Sequence, residues 1–275
     1  MSFLSRARTG SVDRADLTAR IIVAIPAGLV AVGLIILGGP YFAVGIGLLA
    51  AACLHELYEM FAVARPSRLA GLIGLVGIIC AAGFGDEQIV LMAFLATLPV
   101  VFFAVALQPG GGGAPAISVT LLGLAWVGLA LAHAILLRRL DIGETLIIAI
   151  ALGTFLGDTG AYLGGRAFGH TKLAASISPN KTVEGLLIGM VTCVAVVWYV
   201  ALTADGISGA QGALLGVAVA IAAPVGDLFE SYFKRDAGVK DSGRMFGPHG
   251  GALDRVDAVM FAAVAGYYTW VLLLV

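Results

Sequence analysis

Long runs without a charged residue are the feature that most constrains the fold of this chain. No Asp, Glu, Lys or Arg occurs between Arg20 and Glu56, and none occurs between Glu87 and Arg138. A helix needs about 20 apolar residues to span a bilayer, so each run is long enough for two spans. Only 12% of all residues are charged, against roughly a quarter in soluble domains. These figures exclude a soluble globular enzyme, a disordered chain and a basic nucleic-acid-binding protein.

Glycine and proline divide the apolar runs, because both residues interrupt helices. The sequence predicts nine apolar segments: 20–38, 41–62, 69–84, 89–107, 116–137, 143–163, 183–203, 210–234 and 256–275. The expected fold is therefore all-α: a polytopic integral membrane protein with about nine transmembrane helices. Residues 1–140 are predicted to hold a short cytoplasmic N-terminal segment and the first five helices. Residues 141–275 are predicted to hold the other four helices, which continue the same membrane domain.

The Lys and Arg residues predict the orientation in the membrane. With the N-terminus in the cytoplasm, fourteen of the sixteen fall on the cytoplasmic side, and only Arg138 and Arg139 fall outside. Such a bias is typical of cytoplasmic loops. The two large polar loops, 164–182 and 235–255, are then both cytoplasmic. Formal net charge is −1, which indicates no nucleic-acid partner.

Charged residues concentrate near the C-terminus, where residues 227–257 hold 11 of the 33 Asp, Glu, Lys and Arg residues. Asp227 directly follows an apolar stretch, and Asp227, Ser231 and Lys234 are spaced to share one helix face. An ionisable group at membrane depth is costly and indicates function. A solvated loop remains the alternative explanation for such a run of charges.

Two further carboxylates, Asp254 and Asp257, lie three residues apart at the predicted start of the last helix. If the last two helices are neighbours, they converge with Asp227, and oxygen ligands of this kind suit Mg²⁺. The loop between these helices combines basic side chains with glycine, as a polyphosphate site requires. His249 in this loop is either a general acid or base or a structural residue.

A second polar group lies upstream. Asp158 is an acid within an apolar span, and Ser178 followed by proline predicts a helix cap. A helix N-terminus beside Lys181 would bind an anion, although an ordinary capped helix explains the same residues. By contrast, we interpret His55, Glu56 and Glu59 as an exposed end of the second helix.

The two polar groups together resemble the signature of the phosphatidate cytidylyltransferase family. The resemblance rests on the stretch from Gly226 to Arg235, Lys240-Asp241-Ser242-Gly243, 249–251 and Asp254-Arg255-Val256-Asp257, and upstream on 158–165 and 178–185. It implies that CTP and phosphatidate give CDP-diacylglycerol and pyrophosphate in a Mg²⁺-dependent reaction at the bilayer.

The same resemblance implies roles for individual residues. The implied metal ligands are Asp227 and Asp254, supported by Asp257 and Ser231. The implied catalytic residues are Lys234, Arg235, Lys240, Asp241 and His249. The implied substrate-binding residues are Asp158, Ser178, Lys181, Glu184, Arg244 and Arg255. The density of acids leaves room for a second cation.

Several alternatives stay open at this level. The substrate could be another lipid phosphate, such as a polyprenyl phosphate or an archaeal ether lipid. A different class is an ion-coupled transporter that uses Asp158 and Asp227 as relay acids, although the clustering of charge at one end argues against it. The oligomeric state is open, a homodimer included. The compact chain favours a bacterial inner membrane protein.

Overall fold

The computed structural model describes residues 14–243, 245 and 250–274. Nine long helices account for most of this part of the chain. They are α1 (Arg14–Leu37), α2 (Gly39–Met60), α3 (Arg68–Phe84), α4 (Glu87–Ala106), α5 (Gly113–Arg138), α6 (Gly143–Phe168), α7 (Val183–Thr203), α8 (Gly209–Asp236) and α9 (Leu253–Leu274). Within the described residues the only strands form a small antiparallel hairpin, β1 (Lys172–Ala174) and β2 (Ser178–Thr182). This confirms the predicted all-α class.

Seven of these nine helices are long and apolar enough to cross a membrane by length and composition. Of α1 only Pro26–Leu37 enters this count, and α3 (Arg68–Phe84) has 17 residues. The chain is therefore an integral membrane protein, while the count of nine spans stays a prediction.

The last four helices pack against one another in chain order, and α9 also packs against α5. Small residues allow the closest of these approaches. A Cβ atom added to Gly189 of α7 would lie 2.8 Å from the carbonyl oxygen of Gly157 on α6. At Gly226 of α8 it would stand 2.5 Å from the carbonyl oxygen of Asp257 on α9. The backbones beside Asp158 and Asp227 are thus in near contact with the neighbouring helices.

Arg138 and Arg139, the two exceptions to the charge bias of the loops, donate to the C-terminal ends of other helices. Arg138 donates to the carbonyl oxygens of Ile35 (2.7 Å) and Ile36 (3.4 Å) in the last turn of α1. Arg139 donates to the carbonyl oxygens of Ala82 (2.8 Å) and Gly85 at the end of α3. Helix C-termini leave carbonyl groups without partners, so these cations are explained by the fold.

The predicted helix cap at Ser178 is wrong. Ser178 begins β2, where it pairs with Ala174, and α7 starts only at Val183. The cap is Thr182, whose side-chain oxygen accepts a hydrogen bond from the Gly185 amide at 3.2 Å. Serine and threonine cap helices by the same bond, and the hairpin moves the helix start four residues along the chain.

Candidate active site

The two polar loops meet at one end of the bundle, on the side predicted to be cytoplasmic. Lys181, at the end of the hairpin, pairs with Asp227 of α8. Arg235 at the end of α8 donates to the carbonyl oxygen of Ile177, 3.3 Å away. The two loop regions are therefore in contact at one end of the bundle, and their cytoplasmic orientation stays a prediction.

The partly exposed ion pair of Lys181 and Asp227 forms the outer part of the site. Their side chains are 30% and 28% exposed. Ser231, one turn further along α8, donates to the other carboxylate oxygen of Asp227 across 3.4 Å. Asp158 of α6 lies close enough to Asp227 for the two charges to repel each other, and it lines a small cavity between α6, α7 and α8. Two acids and one lysine from three elements thus face one another.

A second, more deeply placed lysine lies one helix turn beyond Ser231. Lys234 Nζ donates to Glu230 Oε2 at 2.6 Å and to Asp254 Oδ1 at 2.7 Å. Lys234 is 13% exposed, Asp254 8% and Glu230 1%. One cation therefore holds two buried carboxylates, one from α8 and one from α9. Carboxylates of the last two helices thus meet at one lysine, but the pair is Glu230 with Asp254, whereas the sequence predicted Asp227 with Asp254 and Asp257.

Glu230 has one oxygen without a partner. Its Oε1 is buried and makes no hydrogen bond among the described residues. Asp257 lies near enough to interact electrostatically with both Glu230 and Asp227. The neighbouring Phe229 and Phe233 rings pack on Trp126 of α5 at 4.8 and 5.7 Å between ring centroids. These rings form an aromatic contact between α8 and α5.

Asp254 makes the most hydrogen bonds of the predicted metal ligands. Besides Lys234, its Oδ2 accepts from the Ser242 amide (2.9 Å), the Ser242 hydroxyl (3.0 Å) and the Gly251 amide (2.7 Å). A side chain at Gly250, which has a φ of +81°, would also clash with this carboxylate. Asp254 is therefore held rigidly, and only Oδ1 faces the lysine side.

The remaining predicted residues lie at the edge of this group. Glu184 accepts from the His170 and Thr171 amides at 3.1 Å, so it fastens the turn after α6 and lies apart from the acidic group. Arg235, Lys240, Asp241 and Arg255 are exposed around the rim. Arg244 and His249 lie outside the described residues. Within the part of the chain that the structure describes, no three His, Cys, Asp or Glu side chains form a ready-made metal site.

Glu56 is the residue that sequence reasoning missed. Its neighbours His55 and Glu59 are exposed as predicted, but Glu56 is 6% exposed and binds the loop before α9. The exposed end predicted for this residue is wrong. Glu230 was also left without a role, although its spacing of four residues from Lys234 is the spacing of a helix ion pair. No local pattern signals the contact of Glu56, because its partners lie 186 to 197 positions away.

Comparison with known proteins adds an independent finding. A model of the cytidylyltransferase family matches residues 18–273. The phosphatidate cytidylyltransferase of Synechocystis sp. is 33% identical over 290 residues, which cover 94% of this chain and 97% of that protein. Phosphatidate cytidylyltransferase 5, chloroplastic, of Arabidopsis thaliana is 32% identical over 93% of this chain and 72% of its own length. The phosphatidate cytidylyltransferase of Mycobacterium bovis is 32% identical over 70% of this chain and 64% of its own length.

Proposed function

Since the chain belongs to the cytidylyltransferase family, we propose that it transfers CMP from CTP to phosphatidate. The phosphate of phosphatidate attacks the α-phosphorus of CTP. The bond from that phosphorus to the β-phosphate oxygen breaks, and CDP-diacylglycerol and pyrophosphate result. The product is a precursor for phospholipid synthesis.

The observation that carries the proposal is the pair of lysines that alternate with carboxylates at one end of the bundle. Lys181 pairs with Asp227, and Lys234 pairs with Glu230 and Asp254. Two anions have to meet in this reaction, so fixed positive charge and in-line positioning supply most of the catalysis. The attacking group is already an anionic phosphate oxygen, so neither a protein nucleophile nor a strong base is needed.

The donor chemistry of the site suits Mg²⁺. This ion prefers oxygen ligands and is commonly held by one or two carboxylates together with waters and substrate phosphates. The buried, unpartnered Glu230 Oε1 and the mutual repulsion of Asp227 and Asp257 both favour a cation nearby. Asp227, Asp257 and Asp254 Oδ1 would hold it, with Ser231 in support. Bound Mg²⁺ would offset the charge that builds up on the phosphate oxygens.

The basic residues would bind and orient the substrates. Lys181 lies beside Asp227 at the outer part of the site and would contact an incoming phosphate. Lys234 is fixed by two carboxylates and would offset charge on the departing pyrophosphate. Arg235 and Lys240 on the exposed rim would hold the outer phosphates of CTP, which arrives from water, and the acyl chains would stay in the bilayer.

We further propose that this end of the bundle faces the cytoplasm of a bacterial cell and that the chain lies in the inner membrane. The support is the charge bias of the loops and the solubility of CTP in the cytosol. A transporter that relays ions through Asp158 and Asp227 lacks comparable support, because both acids belong to the same end group as the lysines.

A transfer assay with the purified chain tests the proposal. The chain is reconstituted in vesicles with radiolabelled CTP, and CDP-lipid and pyrophosphate are measured with phosphatidate or with a polyprenyl phosphate as acceptor. We expect product with phosphatidate, its loss in EDTA and its return with Mg²⁺. Product with the polyprenyl phosphate alone would assign another lipid phosphate, and no product with either acceptor would refute the enzyme activity.

A matched pair of variants tests the metal ligands. We expect Asp227→Asn to lower turnover about a hundredfold or more, since even residues that only support a metal ligand are worth about 10- to 100-fold. Asp236→Asn removes an exposed carboxylate from the same helix and should leave turnover unchanged. Equal turnover in both variants would refute the role of Asp227.

A further inference from the structure

A buried carboxylate from the N-terminal half of the chain reaches the loop that precedes α9. Glu56, in the last turns of α2, accepts hydrogen bonds from the Ala252 amide at 2.9 Å and the Leu253 amide at 3.0 Å. It also accepts one from the Ser242 hydroxyl at 3.2 Å. Ala252 and Leu253 open α9, where amide groups lack helix partners, so Glu56 caps this helix from another part of the fold.

Ser242 links this carboxylate to Asp254. Its hydroxyl lies 3.2 Å from Glu56 Oε2 and 3.0 Å from Asp254 Oδ2, while its amide donates to Asp254 at 2.9 Å. A hydroxyl carries one proton, so the two carboxylates share it. Movement of Glu56 therefore changes the hydrogen bonding of Asp254 through Ser242, and that of Lys234 through Asp254.

The loop is shaped to fit Glu56. A side chain at either Gly243 or Gly251 would overlap the carboxylate of Glu56, and at Gly251 it would also overlap the Ser242 hydroxyl. Among the ion pairs of the described residues none involves Glu56. Its charge is offset by the hydroxyl and by the two amides at the start of α9, an arrangement favourable to an anion.

We propose that Glu56 is a positioning residue of the transfer reaction. It clamps the loop through the amides of Ala252 and Leu253 and the hydroxyl of Ser242, and through Ser242 it sets the orientation of Asp254 and the lysine bound to it. This inference rests on the proposed function. It also gives the N-terminal five helices a part in the chemistry, beyond that of a membrane scaffold.

A comparison of Glu56→Gln with Glu59→Gln tests the inference. Glutamine keeps the shape of Glu56 but has a single acceptor oxygen, so the Ala252 amide, the Leu253 amide and the Ser242 hydroxyl compete for it. We expect Glu56→Gln to lower kcat about 10- to 100-fold with the KM for CTP changed less than about threefold. Glu59 is exposed on the same helix, and Glu59→Gln should match the wild type in both constants.

Ser242→Ala provides the second measurement. It removes the bridging hydroxyl but keeps the backbone bonds, so it is the variant to use if Glu56→Gln does not fold. If the two residues act as one unit, the double variant should lose no more activity than the worse single variant. Additive losses, a full wild-type kcat in Glu56→Gln, or an effect confined to KM would each overturn the proposal.

Hydrogen exchange separates failure of this inference from failure of the proposed function. Amides 242, 252 and 253 are expected to exchange at least about tenfold faster in Glu56→Gln than in Glu59→Gln, whatever the lipid acceptor. An inactive wild type with this exchange pattern would refute the proposed function and leave the clamp in place. Equal exchange in the two variants would refute the clamp even if the wild type is active.

Discussion

Removal of the Lys234 ammonium group should destabilise the protein far more than removal of the Lys181 ammonium group. In Lys234→Met the carboxylates of Glu230 and Asp254, which are 1% and 8% exposed, lose their shared cation. Methionine keeps much of the length of the side chain, so the change is mainly one of charge.

The magnitude follows from burial. Removal of one partner from a buried ion pair costs about 3–5 kcal/mol, because an uncompensated charge is left behind. Asp254 keeps three other donors, whereas Lys234 is the one cation that pairs with Glu230 among the described residues. We therefore expect a loss of about 3 kcal/mol, near the lower end of that range. The pair of Lys181 and Asp227 is more open to solvent, at 30% and 28% exposed. Solvent-exposed ion pairs contribute about 0–1 kcal/mol.

Thermal unfolding in one detergent, followed by tryptophan fluorescence, compares the two variants. At about 2–4 °C per kcal/mol, Lys234→Met should melt about 6–12 °C below the wild type and Lys181→Met within about 4 °C of it. Glu230→Gln added to Lys234→Met should recover part of the loss, because a neutral amide replaces the stranded charge. Equal melting temperatures for the two lysine variants would refute the argument from burial.

Three further changes test other parts of the structure. Gly251→Ala should lower transfer at least about tenfold while the protein still elutes as a folded species, because the new methyl group forces the loop away from Glu56; wild-type turnover would contradict the tight fit. Arg139→Gln should lower the free energy of unfolding by about 1–3 kcal/mol, since carbonyls at the end of α3 lose their donor, and thermal unfolding checks this loss. Its turnover in the transfer assay should match the wild type. Thr182→Val should cost about 1 kcal/mol of stability and Ser178→Ala much less, and the reverse order would restore the cap predicted from sequence.

Most of the membrane architecture could be predicted because it depends on local properties of the chain. A span is a matter of length and apolar composition, and the predicted 183–203 coincides with α7 (Val183–Thr203). Only the cap of α7 was wrongly assigned: Ser178 and Thr182 are both good caps, and the pairing of β2 with β1 decides between them.

At the candidate site, too, features contained in neighbouring residues could be predicted and pairings between distant elements could not. The run of charges that begins at Asp227 carries the family signature in nearly consecutive residues, so the family could be predicted from it. Which lysine holds which acid could not be predicted: Lys234 shares a helix face with Asp227, yet Lys181 pairs with Asp227 and Lys234 reaches Asp254.

The sequence by itself determined that this chain is a helical membrane protein of the cytidylyltransferase family, with 11 of its 33 charged residues between positions 227 and 257. The tertiary structure alone decided that Glu56 belongs with those loops. Glu56 and Leu253 are 197 positions apart, and no periodicity connects them. Their contact depends on the packing of α2 beside α9 and on glycines that let the loop backbone approach a carboxylate. Such contacts follow from the shape of the assembled bundle, which no short stretch of sequence contains.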